Sequence, residues 1–137
     1  DTGFLPDKVA LSKLADCDLI VFGYQRSSES ASGAVRYGLI SGRPVAVTPL
    51  EIFSDVADYC IQLPGTSAAE MAQGIAGVMD RMGGEDWRDL DAELEDMLVR
   101  SRAYVSARSY AVLGPRLKGM LTALWDDQQN GLHNKSL

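Results

Sequence analysis

Three short apolar segments alternate with helix-like segments in the first half of the chain, and this alternation constrains the fold more than any other feature. The apolar segments are Leu19–Phe22, "RPVAVTPL" and "CIQLP". Short continuous apolar runs bounded by turn residues are typical of strands that are buried on both faces of a parallel sheet. The sequence therefore predicts an α/β fold with a parallel sheet of about three strands and helices on both faces. A doubly wound sheet usually has five or six strands.

The segments between the strands carry helix signals. Pro6 suits the first turn of a helix that covers "DKVALSKLADC", and Ser41-Gly42 closes a helix over "GAVRYGLIS". "EIFSDVADY" is expected to form a short helix. Ser67 is predicted to cap a long helix, "AAEMAQGIAGVMDRM", with Glu70 completing a capping box and Gly83-Gly84 ending the helix.

From Trp87 onward no strand pattern is present, and apolar residues follow helical spacing in two stripes. Ser109 is a plausible cap for the second helix, which Gly114-Pro115 should kink or interrupt. Trp125 is expected to be a core anchor or a domain-contact residue. The predicted organisation is a sheet domain over 1–86, helices that pack on it over 87–130, and a frayed tail over 131–137.

Composition argues against a nucleic-acid binder. The chain has 137 residues and a net charge of −6, whereas nucleic-acid binding needs a basic footprint, although a local basic patch is not excluded by the overall charge. Cys17 and Cys60 are far apart and are predicted to be reduced and buried, as in a cytoplasmic protein. The start, "DTGFLPDKV", has neither an initiator Met nor the basic and apolar regions of a signal peptide, which indicates a trimmed chain.

The turn between the first two predicted strands is the strongest candidate for a site. A strand ends near Tyr24 and a helix begins near Ser32 or Gly33, at the sheet edge where ligands bind in open α/β folds. The unpaired amides of a helix start attract phosphate, and Gly33 and Ala34 carry no bulk that would keep a ligand away. Ser30 or Ser32 can add a hydroxyl donor. Ordinary capping by serine explains the same residues, so two interpretations stay open here.

Glu29 fits a phosphate site poorly, because a carboxylate repels phosphate. It fits better beside the sugar end of a larger ligand, where it would accept hydrogen bonds from hydroxyl groups. The spacing is not that of a Walker motif, since no G-x-x-x-x-G-K-[ST] is present.

The stretch "ADCDLIVFGYQRSSESASGAVRYGLISGRPVAVTPLEIFSDV" resembles the C-terminal, donor-binding domain of retaining GT-B glycosyltransferases. These include many bacterial enzymes of polysaccharide and lipopolysaccharide synthesis. "LADCDLIVF" resembles a strand of that family, "ESASGAV" its E-G-F-G turn, and "SGRPVAVT" its C-G-R/K-P-V-V-A-T strand. The resemblance covers most of the chain and is most specific over 29–49. It implies a Rossmann-like half of a GT-B fold that lacks its first strands.

The resemblance also implies roles for individual residues. Glu29 would contact hydroxyls of the donor sugar, and the amides of Ser32, Gly33 and Ala34 would hold the diphosphate. A second glutamate of the family, which binds the ribose, falls on Tyr37, and tyrosine cannot replace a carboxylate there. The residues expected to line the rest of the pocket are Tyr24 and Gln25, near the base, with Thr48 and Pro49 at the end of the next strand.

By the same resemblance the parent protein would transfer a hexose from a UDP- or GDP-sugar to a glycan or lipid-linked acceptor, with no required metal or other cofactor. The anomeric configuration would be retained. The acceptor would bind a missing N-terminal domain, so this fragment alone is expected to be inactive. The parent would be cytoplasmic, at the inner face of the membrane. Arg26 and Arg36 could supply charge near the turn.

Two other classes remain as alternatives. A sugar-nucleotide epimerase would need an acid and histidine pair, and the single histidine, His133, lies in the polar tail. A non-catalytic α/β interaction module is the other, including a receiver-like domain. A receiver needs an aspartate after a strand, whereas Asp16 and Asp18 come before one.

Overall fold

The computed structural model describes residues 5–25, 32–82 and 90–133, and describes side chains as far as residue 128. The predicted helix end at Gly83-Gly84, Trp87 and the predicted domain boundary at residue 86 lie outside these ranges. Two compact units are present, Asp1–Ala103 and Tyr104–Leu137. The elements in chain order are α1 (Asp7–Ala15), β1 (Ile20–Phe22), α2 (Gly33–Ile40), β2 (Val45–Val47), a 3₁₀ helix (Glu51–Tyr59), β3 (Ile61–Gln62), α3 (Ala68–Arg81), α4 (Ala92–Ala107) and α5 (Tyr110–His133).

The three strands form one parallel sheet in the order β1-β2-β3, which confirms the predicted α/β architecture at this level. Ile20 pairs with Val45 and Ala46 pairs with Ile61. All three residues of the central strand β2 are buried. Because successive side chains of a strand point to opposite faces, both faces of the sheet are covered at β2.

Helices cover the two faces differently. On one face α2 approaches so closely that a Cβ at Gly38 would lie 3.0 Å from the Phe22 ring and 3.2 Å from Val45. On the other face Ile61 packs against a cluster formed by α3 and the first half of α4. The buried members of that cluster are Val78, Met82, Leu94, Met97 and Leu98. The predicted arrangement of helices on both faces is therefore confirmed.

The prediction that β1 is buried on both faces is wrong at Val21. Ile20 is buried, but the Val21 side chain is 37% exposed. β1 is an edge strand, with β2 on one side only among the described residues. Side chains on an edge strand are covered only where a helix crosses them, and no described helix fully covers Val21.

Two local signals are confirmed, the glycine that ends α2 and the capping box that begins α3. Gly42 follows α2 with a φ of 75°, the left-handed conformation in which glycine commonly ends a helix. At α3 the Ser67 hydroxyl accepts a hydrogen bond from the Glu70 N–H at 3.3 Å, and the Glu70 carboxylate accepts one from the Ser67 N–H at 3.0 Å. The two bonds make the predicted capping box.

The connection from α1 to β1 differs from its prediction. Cys60 is a buried free cysteine as predicted, but Cys17 is exposed, because it lies in the surface turn that follows α1. Its thiol donates to the Lys13 carbonyl at 3.4 Å. Nearby, the Arg43 guanidinium donates to the carbonyl of Ala15, the last residue of α1, and so ties the end of α1 to the start of β2.

The second unit contains α5, and here too the structure corrects the sequence. Pro115 lies inside α5 without interrupting it. Proline has no N–H to donate to the carbonyl four residues earlier, which is that of Ala111. Ala111 is exposed, so water can bond to this carbonyl instead. Trp125 is 62% exposed and is therefore not a core anchor. The Arg108 guanidinium lies 3.8 Å from the centre of the Tyr104 ring. None of the described helices combines the length and apolar character needed to cross a membrane.

Candidate functional site

The carboxyl edge of the sheet gathers the residues that could bind a ligand. In a parallel sheet all strands end at the same edge, so the segments after β1, β2 and β3 meet there. The same edge holds the starts of α2 and α3, because each helix follows a strand. Two helix N-termini with different local chemistry therefore face one side of the molecule.

An open crevice of about 610 Å³ lies at this edge. Gln25 and Leu50 contribute to it from the segments after β1 and β2, and α3 contributes its first turn. The closeness of α3 to the end of β1 is shown at Gly23, where a Cβ would meet the Met71 sulfur at 2.9 Å. The described residues that line the crevice are Gln25, Leu50, Thr66, Ser67 and Glu70. The first turn of α2 is not among them.

Among the residues that the structure describes, nothing caps the N-terminus of α2. Ser32 occupies the cap position, but its side chain makes no capping hydrogen bond. Gly33 and Ala34 are exposed, and no atom lies within 4 Å of the position that a Cβ would take at Gly33. Within the described ranges, no side chain accepts a hydrogen bond from the amides of this turn. A helix start carries a partial positive charge, and within the described residues the amides of this turn have no side-chain acceptor, a combination that favours an anion.

The N-terminus of α3 is chemically the opposite. The Glu70 carboxylate folds back onto Ser67 and accepts hydrogen bonds from its N–H and hydroxyl, while the Ser67 hydroxyl oxygen accepts one from the Glu70 N–H. A Cβ at Gly65 would overlap this carboxyl group, so the glycine makes room for it. Hydrogen bonds from the Ser67 hydroxyl and N–H hold the pKa of Glu70 below its ordinary value. An anion is therefore expected to prefer α2 to α3.

Arg36 braces the start of α2. Its Nη1 donates to the Ser32 carbonyl at 2.6 Å, and its Nη2 forms an ion pair with Asp55 of the 3₁₀ helix. The guanidinium thus connects the cap residue of α2 to the segment that follows β2. A cation close to a helix N-terminus adds to the positive potential there, and the Asp55 carboxylate offsets part of it.

Three of the predicted site residues form an inner layer below this turn. Ser32 is buried, and its hydroxyl oxygen lies 3.4 Å from the Tyr24 hydroxyl. Thr48 is fully buried and donates from Oγ1 to the Tyr24 carbonyl at 2.8 Å. The Tyr24 ring packs against Phe53 with 5.2 Å between ring centres. Their side chains support the strand ends from inside, and the exposed surface comes from Gln25, Gly33, Ala34 and Pro49.

Tyr37 lies one turn further along α2 and is 37% exposed. Interaction with Asp7, in the first turn of α1, raises the pKa of Tyr37; the main cause is a side-chain hydrogen bond with Asp7, followed by the negative charge of Asp7.

The structure brings some predicted residues together and leaves others untested. Tyr24, Gln25, Ser32, Gly33, Ala34, Tyr37, Thr48 and Pro49 all lie on segments or helices that begin at the carboxyl edge. Glu29, Ser30 and Arg26 lie outside the described residues, so their roles stay predictions. Sequence reasoning missed Asp7 and Asp55 as partners of site residues, and missed Glu70 as part of the crevice. The position of Asp7 could have been predicted from the sequence. In alternating α/β topology, the helix before a parallel strand begins at the carboxyl edge of the sheet, and Asp7 is the first residue of such a helix.

A second cavity, of about 360 Å³, lies beside β3, away from the carboxyl edge, and Cys60 is among its lining residues. Burial, followed by the nearby charge of Asp55, raises the pKa of the Cys60 thiol to about 12. A protonated thiol is a poor nucleophile and a poor metal ligand. Arg81 in this cavity is already paired with Asp91 and Glu93. Across the described ranges, no three acidic, cysteine or histidine side chains come together as a metal-binding group.

Comparison of the chain with protein families, with curated proteins and with solved structures gave no match.

Proposed function

We propose that the chain is the donor-binding part of a retaining glycosyltransferase of the GT-B class, which binds the diphosphate of a nucleotide-sugar at the start of α2. The observation that carries the proposal is the uncapped, exposed first turn of α2 at the carboxyl edge of a parallel sheet. The "ESASGAV" and "SGRPVAVT" segments on either side of this helix support it through the resemblance described above.

The chemistry of the edge suits such a donor. The amides of Gly33 and Ala34 would hold phosphate oxygens, and the absence of a side chain at Gly33 leaves room for close approach. The crevice at the same edge of the sheet presents hydroxyl, amide and carboxylate groups of the kind that bind sugar hydroxyls. Glu29 would position the donor sugar from the loop that precedes α2.

In the proposed reaction the bond between the anomeric carbon and the diphosphate oxygen breaks. A bond from the same carbon to an acceptor hydroxyl oxygen forms with the anomeric configuration retained. The nucleoside diphosphate takes the bonding electron pair, and the acceptor hydroxyl loses its proton. The amides of α2 would stabilise the negative charge that develops on the diphosphate. The acceptor, a glycan or a lipid-linked sugar, would bind a second domain of the parent protein.

The experiment compares Gly33→Leu with Gly77→Leu. Both residues lie in helices and have no atom within 4 Å of the Cβ position, so both variants should fold. Gly77 lies in the interior of α3, away from the first turns of α2 and α3. Titration of the chain with UDP and GDP is expected to show millimolar or tighter binding, which Gly33→Leu abolishes and Gly77→Leu leaves unchanged.

Two results would contradict the proposal. One is the absence of binding of either nucleotide up to about 10 mM. A dissociation constant of 1 mM needs only about 4 kcal/mol of binding free energy, and a site of this kind would be nearly saturated at 10 mM. The other is binding that Gly33→Leu and Gly77→Leu weaken equally, because the ligand would then not lie on the first turn of α2.

A further inference from the structure

The exposed apolar surface of the described residues is concentrated on α5. Eight of the fourteen exposed large apolar side chains that the structure describes lie on this helix. Six of the eight recur at spacings of three and four and so form one row, called here the α5 stripe: Tyr110, Leu113, Leu117, Met120, Leu121 and Leu124. Trp125 lies at the rim of the α5 stripe, and Val112 lies on the other side of the helix. Contiguous exposed apolar surface of this kind marks an interaction site.

Two opposite charges lie along one side of the α5 stripe. Asp127 is eleven positions after Arg116, which is three helical turns and about 17 Å, so the two residues lie on the same side of the helix. Both are exposed, and among the described side chains neither has an ion-pair partner. They are too far apart to pair within one helix. Each therefore has its complement only on another molecule.

A second copy of α5, packed antiparallel, meets both the apolar and the charged groups. Antiparallel packing about a twofold axis brings the same side of each α5 stripe together in reverse order. With the axis between Leu121 and Thr122, Arg116 of one copy lies beside Asp127 of the second copy, twice by symmetry. The same axis places Lys118 beside the Trp125 ring of the second copy on the other side of the α5 stripe, which is a favourable cation–π pair.

Parallel packing gives the opposite result. Two parallel helices in register bring opposite sides of their apolar stripes together. Arg116 would then lie close to Lys118 of the second copy, and these like charges repel. Charge therefore selects the antiparallel order.

We propose that the α5 stripe is an interface between two copies of this chain, which pack antiparallel about a twofold axis between Leu121 and Thr122. The proposal goes beyond the nucleotide site and does not depend on it. One pair of helices buries less than the roughly 800 Å² per partner of a standard interface, so we expect a dissociation constant of about 10–100 µM.

Analytical ultracentrifugation of the whole chain, over about 1–500 µM and at low ionic strength, tests the proposal, because charge pairs are then least screened. The wild type should change from monomer to dimer over this range. Leu117→Glu places a charge inside the interface and should weaken dimerisation about a hundredfold or more. Val112→Glu places the same charge on the other side of α5 and should leave dimerisation unchanged. Both residues are exposed in the single chain, so both variants should show a folded protein by circular dichroism.

Two charge reversals test the antiparallel order. Arg116→Glu and Asp127→Arg should each weaken self-association about fivefold or more, because each variant brings like charges together twice. An equimolar mixture of the two variants should form mixed dimers about as tightly as the wild type, since each copy then supplies the complement of the other. Recovery in the mixture requires pairing between copies, because the two positions do not meet within one helix.

Three results would overturn the proposal. A wild-type chain that stays monomeric up to about 500 µM refutes it, and co-sedimentation of that monomer with vesicles of phosphatidylglycerol and phosphatidylcholine would assign the α5 stripe to a membrane instead. Equal weakening by Leu117→Glu and Val112→Glu would place the interface elsewhere on the chain. Dimerisation that the mixture of charge variants does not recover would refute the antiparallel order.

Discussion

Gly74 lets α3 pack against the end of β3, and replacing it tests the geometry that shapes the crevice. A Cβ at Gly74 would lie 2.6 Å from Pro64 Cδ and 2.8 Å from Leu63 Cδ2. Real Cβ contacts are not this short, so the helix or the Leu63-Pro64 segment must move. The proline ring is rigid and Leu63 is buried, which leaves little room for adjustment. Gly77, one turn later in the same helix, has open space at its Cβ position.

The expected effect combines two opposing contributions. Gly→Ala inside a helix stabilises by roughly 1 kcal/mol, because alanine has the higher helix propensity. Overpacking a well-packed site costs about 1–3 kcal/mol. Gly77→Ala should therefore gain about 1 kcal/mol in free energy of unfolding. Gly74→Ala should lie about 1–3 kcal/mol below Gly77→Ala.

The assay is urea-induced unfolding followed by circular dichroism, with the wild type and both variants measured together. Thermal unfolding provides a second measurement, in which each kcal/mol corresponds to roughly 4 °C in a protein of this size. Equal stabilisation by Gly74→Ala and Gly77→Ala would refute the close approach of α3 to the end of β3. The placement of Ser67 and Glu70 in the crevice would then fall as well.

Two further predictions concern titratable groups. Hydrogen bonds from Arg81, then from the Leu94 N–H, hold the pKa of Asp91 at about 2, so the stability that this interaction provides is complete above about pH 4 and is lost as the pH falls towards 2. In urea unfolding between pH 2 and 6, the free energy of unfolding of Asp91→Asn should fall less between pH 4 and 2 than that of the wild type. The same pH dependence in both proteins would contradict the interaction between Asp91 and Arg81. A disulfide reagent at pH 8 should modify exposed Cys17 quickly, whereas Cys60, whose pKa burial raises to about 12, should react only after unfolding. Two rapidly reacting cysteines in the folded wild type, or one rapidly reacting cysteine in the Cys17→Ser variant, would show that Cys60 is accessible.

Features set by neighbouring residues could be predicted from the sequence. The continuous apolar run of β2, the glycine that ends α2 and the Ser67–Glu70 capping box each depend on a few adjacent positions. In each case the local preference and the tertiary fold agree, so nothing overrides the signal. The parallel order of the strands followed from the helix-length segments between them.

Features set by distant residues could not be predicted in the same way. Val21 is exposed because no described helix covers its face of the edge strand, and a run of apolar residues does not predict which of them a helix will cover. Tyr37 meets Asp7 across 30 positions of sequence, and Arg43 meets Ala15 across 28. Each pair depends on how two helices or a helix and a strand pack. The openness of the α2 start also depends on its surroundings, since a serine at a cap position more often predicts a filled cap.

Backbone amide NMR with UDP and GDP tests the central claim most directly, because the two helix starts at the carboxyl edge serve as each other's control. The amides of Gly33 and Ala34 in the uncapped turn of α2 are expected to shift in a saturable way. The capped first turn of α3, around Ser67 and Glu70, should show the smaller response. Saturable shifts confined to α3, or none at either helix up to about 10 mM ligand, would contradict an anion site at the start of α2.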